Sequence, residues 1–80
     1  MNGKEINRQM KFILMDLERT LGSGVPAFWK QNKRGYTYNI HEAGLYDEKE
    51  AEKIVKADFN ERTIKISLKA VEDFLLIKVR

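Results

Sequence analysis

The sequence contains no cysteine, a single histidine and a single proline. Without cysteine there are no disulfides and no thiol nucleophile. One histidine alone does not build a structural zinc site. No apolar run approaches the roughly 20 residues that cross a bilayer, so no membrane partner is expected. The opening Met1-Asn2-Gly3-Lys4-Glu5-Ile6 lacks the apolar heart of a secretion signal, which predicts a cytoplasmic address.

Catalytic machinery is equally sparse. Ser23 lies in a glycine-flanked turn and Ser67 at a helix-cap position, neither with a nucleophile-elbow context. A Ser-His-acid set would have to form around His41, and a lone histidine at a strand end is more often an ordinary surface group. Glu18, Glu42, Asp47 and Asp58 show no spacing that singles out an acid–base pair. Gly22-Ser23-Gly24 follows a helical pattern, where a dinucleotide-binding loop should follow a strand. The expectation is a protein that is not an enzyme and uses no cofactor or metal.

What is present is a globular composition, 42% hydrophobic and 34% charged. Residues 1–80 form one domain. At this size the stability margin is thin, so a homodimer stays open. Net charge is +3, weaker than in most duplex-DNA binders but suited to an anionic ligand or an acidic partner surface.

Patterning predicts an α+β fold. Ile6, Met10, Ile13, Leu14, Leu17 and Leu21 lie at helical spacing, giving a helix over 3–21 with Asn2 as N-cap and Gly22 as its stop. A hairpin spans 25–41: Ala27, Phe28 and Trp29, a polar loop ending at Gly35, then the alternation of Tyr36, Tyr38 and Ile40 against Thr37, Asn39 and His41. Asp47 caps a second helix with Glu50 completing a capping box, Tyr46 placed to staple onto Ala51, and Ala51, Ile54 and Val55 as its buried stripe. That helix ends near Ala57, Phe59 to Glu61 turn the chain, and 63–68 alternates as a strand. The C-terminus fits a helix on Val71, Phe74, Leu75 and Val79 capped by Ser67, or a strand. The expected architecture is a small three-stranded antiparallel sheet with helices, order α-β-β-α-β-α.

Two surfaces are candidates for binding. Trp29, Lys30, Lys33, Arg34 and Tyr36, with Tyr38, crowd cations and aromatics into ten residues. Aromatic faces stack on bases and cations neutralise phosphate; the plainer reading is core cover beside solvated turn residues. On a helix over 3–21, Phe12, Met15 and Arg19 would share the outer face with Lys4, Arg8 and Lys11, a protein-contact surface. The plainer reading there is that the C-terminal segment covers them.

The residues Trp29, Gly35-Tyr36-Thr37, Ala43-Gly44, Tyr46 and Glu50-Ala51 resemble a signature of short uncharacterised phage and prophage proteins. Ile64-Lys65-Ile66-Ser67-Leu68 with Ala70 is similar to their later strand running into a final helix, and the resemblance covers about residues 28–70. It implies a context of host takeover or counter-defence in the host bacterial cytoplasm, by occluding a host protein or sequestering an anionic nucleotide. The alternative is a nucleic-acid-binding accessory protein. The same motif also makes sense as structure, with Gly35 closing a hairpin and Gly44 re-aiming the chain.

Overall fold

Lys11–Asp16 forms strand β1 at the centre of the sheet, where the helical spacing predicts helix. The structure is a computed structural model that describes residues 11–75; the expected helical residues 3–10 and the candidate face residues Lys4 and Arg8 lie outside it. The cause of the difference is burial on both sides. Ile13 and Leu14 point to opposite faces of the sheet and are each fully buried. A strand buried on both faces reads as a continuous apolar run, which periodicity cannot distinguish from a buried helical turn.

The helix starts only at Leu17. Asp16 caps α1 (Leu17–Ser23) by accepting a hydrogen bond from the Arg19 backbone N–H at 2.8 Å. It ends at Gly24, in the left-handed region at φ 77°, two residues beyond the expected stop at Gly22. Strands β2 (Phe28–Trp29) and β3 (Tyr36–Thr37) form the expected hairpin. Its loop is closed by Lys30 N–H to the Gly35 carbonyl at 2.8 Å, with Gly35 at φ 99°. The expected alternation through His41 stops early. Asn39 accepts from the His41 N–H and starts a 3₁₀ turn over Ile40–Glu42.

Strand β4 (Tyr46–Asp47) leads into α2 (Glu48–Ala57). As expected, Asp47 caps α2, accepting from the Glu50 N–H at 2.8 Å, and Tyr46 packs in one cluster with Ala51, Ile54 and Val55. Strand β5 (Thr63–Ser67) runs into α3 (Leu68–Leu75), where Ser67 Oγ accepts from the Ala70 N–H at 3.1 Å. The helical alternative therefore holds over Leu68–Leu75; Val79 lies outside the described residues.

Among the described residues the order is β-α-β-β-β-α-β-α and the antiparallel sheet has five strands, not three. β5 takes one edge of β1 from Phe12↔Ser67 to Asp16↔Thr63. β2 and β4 share the other edge, through Met15↔Phe28 and Phe12↔Tyr46. On one face Ile13, Phe28, Ala43, Leu68 and Val71 pack together with Met15 and Ile66, under α3. On the other, Leu14, Tyr46 and Ala51 pack with Phe12, Trp29, Ile54 and Val55, under α2.

A basic aromatic cleft between the hairpin and the end of α2

The register that pairs Trp29 with Tyr36 across β2 and β3 puts both side chains on the α2 side of the sheet. Their rings meet edge to face, 5.4 Å between centroids. The Arg19 guanidinium lies 3.9 Å from the Tyr36 ring centroid, a cation–π contact. Arg19 also sits 3.7 Å from the Asp16 carboxylate. A chain of contacts thus runs from Trp29 through Tyr36 and Arg19 to the cap of α1.

Facing this stack is the turn that follows α2. Asp58 organises it. Its carboxylate accepts from Thr63 Oγ1 at 2.8 Å, from Arg62 N–H at 3.0 Å and from Asn60 N–H at 3.3 Å. The Thr63 hydroxyl, these backbone N–H groups and the Arg62 charge hold the Asp58 carboxyl below the usual carboxylate range. Arg62 in turn reaches Glu18 of α1 at 2.9 Å, which raises its own pKa further.

Between the two walls lies a cleft of about 550 Å³, within the range of small-ligand sites. Trp29, Tyr36 and Phe59 supply aromatic surface, Lys33, Lys53 and Arg62 positive charge, and Asp16 and Asp58 negative charge. Both carboxylates are occupied with protein donors. Lys33 and Lys53 form no ion pair among the described residues. Phe59 is 95% exposed. A phenyl ring held in water at the mouth of a cleft is apolar area left available for contact. The Trp29 indole N–H is enclosed and has no acceptor among the described residues.

Of the hairpin candidates, Trp29, Lys33 and Tyr36 line the cleft. Lys30 and Arg34 do not, and act through their backbone: Tyr46 Oη donates to the Lys30 carbonyl, and Arg34 N–H to the Gln31 carbonyl at 3.2 Å. The proposed face of Phe12, Met15 and Arg19 is not assembled. On a strand, residues three apart point to opposite sides. Phe12 packs with the α2 cluster, Met15 with the α3 cluster, and Arg19 covers Tyr36. Lys53, Phe59 and Arg62 join the site only through the fold; the sole local sign was a large aromatic inside the polar stretch 58–62.

Several residues of the spaced motif around Gly35, Gly44 and Tyr46 build the wall that carries Trp29 and Tyr36. Gly44 N–H donates to the Trp29 carbonyl at 2.8 Å, and a Cβ there would meet the Gln31 backbone nitrogen at 2.6 Å. Gly44 is therefore a close-approach glycine and not a pivot. Gln31 pairs its amide with both backbone groups of Leu45, at 3.1 and 3.0 Å. Tyr46 Oη bridges the hairpin loop, donating to the Lys30 carbonyl and accepting from Lys33 N–H at 3.0 Å. Thr37 Oγ1 donates to Glu42 and accepts from Asn39 N–H.

No family model, curated protein or solved structure matches the chain. Among the described residues there is no cluster of three or more His, Asp or Glu placed to hold a metal ion, and no helix is long and apolar enough to cross a membrane.

Proposed function

We propose that this is a non-enzymatic binding protein that captures an anionic, aromatic ligand of the nucleotide class in the cleft between the hairpin and the end of α2. The observation that carries this reading is Phe59, 95% exposed beside three cations and two further aromatics. A base would lie against the Phe59 ring, and a phosphate would meet Lys33, Lys53 and Arg62. Stacking tolerates any base, since every base has a π-face, and the cations add an ion-dependent attraction. Sequestering a nucleotide fits the host-takeover or counter-defence context that the signature suggests. Occlusion of a host protein through Phe12, Met15 and Arg19 has weaker support, because those three side chains share no surface.

The test separates binding from folding. Phe59→Ala should leave the urea midpoint nearly unchanged, within about 0.5 kcal/mol, because the ring is in solvent. The same change should weaken nucleotide binding by about 1–3 kcal/mol, the size of one lost base–aromatic stack. Calorimetric titration with adenosine 5′-monophosphate reads the second quantity; equal affinity for variant and wild type rules the cleft out.

A further inference from the structure

Lys53 lines two adjoining depressions. On one side it borders the aromatic cleft, and on the other a groove along the outside of α2 with Glu48, Lys49, Glu52, Lys56 and Lys65. Four lysines face two carboxylates there. Glu52 is shared by Lys65 and by Lys56, the latter at 3.7 Å. Lys49 and Lys53 have no ion pair among the described residues. Lys49, Lys53 and Lys56 are spaced four and three apart, so they form one stripe down the helix. At 1.5 Å per residue that stripe is about 10 Å long. A stacked strand carries one phosphate about every 3.4 Å, so the stripe is longer than a single phosphate needs.

We infer that the ligand is a short single-stranded oligonucleotide, with one base in the aromatic cleft and its backbone passing over Lys53 onto the Lys49–Lys56 stripe. The inference rests on the nucleotide reading of the cleft and adds a length and a direction to it. Lys53 is the hinge of the assignment, being common to both depressions. Inorganic polyphosphate would meet the stripe alone and ignore the aromatic wall.

The experiment is a titration of the full chain with adenosine 5′-monophosphate, a 5′-phosphorylated diadenylate and a five-residue oligoadenylate. The five-mer is expected to bind at least about 10-fold tighter than the monophosphate, with a steeper salt dependence as more phosphates are neutralised. In the double variant Lys49→Gln, Lys56→Gln that gain should vanish, with the logarithmic salt slope reduced by about 1.4, two single-strand contacts at about 0.7 each. Monophosphate binding should stay at the wild-type level, which also shows the variant to be folded. Phe59→Ala should weaken all three nucleotides and leave inorganic polyphosphate unaffected. A five-mer that binds no tighter than the monophosphate, or a double variant that binds it as tightly as wild type does, overturns the oligonucleotide assignment while the cleft reading stands. Failure of all three nucleotides to bind overturns both.

Discussion

Gly44 and Tyr46 carry more of the architecture than their size suggests. Gly44 has no room for a methyl group against Gln31. Gly44→Ala should therefore cost about 1–3 kcal/mol, the usual penalty for overpacking a tight site, read as a lowered urea midpoint. Tyr46 is buried, and desolvation pushes its phenol above the ordinary tyrosine range. The stability tied to its neutral form is intact below the unfolded-state tyrosine pKa and falls away as pH rises through the higher folded value. Tyr46→Phe should lose about 1–3 kcal/mol at neutral pH, since the Lys30 carbonyl and Lys33 N–H lose their shared partner. It should also flatten the alkaline limb of a stability-against-pH curve; an unchanged alkaline limb would mean the phenol is not its source. These residues were visible in the sequence as a spaced signature, but their reasons were not. A glycine that re-aims a chain and one that lets two backbones touch look the same in one dimension.

At the scale of elements, α2 and the hairpin were legible because their signals are local. Asp47 with Glu50 is a cap written in four residues, and Gly35 closes a loop by its own φ. β1 was not legible, because its apolar run serves two faces, and β4 is too short to leave a pattern. The cleft was half legible. Trp29, Lys33 and Tyr36 announced themselves as a cluster, whereas Lys53 and Arg62 arrive only once α2 folds across the sheet. The turn after α2 yields a prediction at this scale. Because the folded-state pKa of Asp58 is depressed, its contribution is fully present above the unfolded carboxylate value and is lost as pH falls toward the folded one. Asp58→Asn should weaken the acid dependence of stability in urea melts. It should also weaken nucleotide binding, because the turn that presents Phe59 loses its anchor; binding equal to wild type would separate the turn from the site.

At the scale of the molecule, the register of β1 sets the order of assembly. Residues 12–16 zip against residues 63–67, and each face of that strand is roofed by a helix made later, α2 on one side and α3 on the other. Pairings between such distant segments delay folding, because chain closure must precede any reward. During synthesis the central strand is made well before residues 63–67, its partner along that edge. A chain stopped before Thr63 would leave one whole edge of β1 unpaired and Ile13 without Leu68 and Val71 over it, a species prone to clump. The longest pairing of the sheet therefore waits until residues 63–67 have been made.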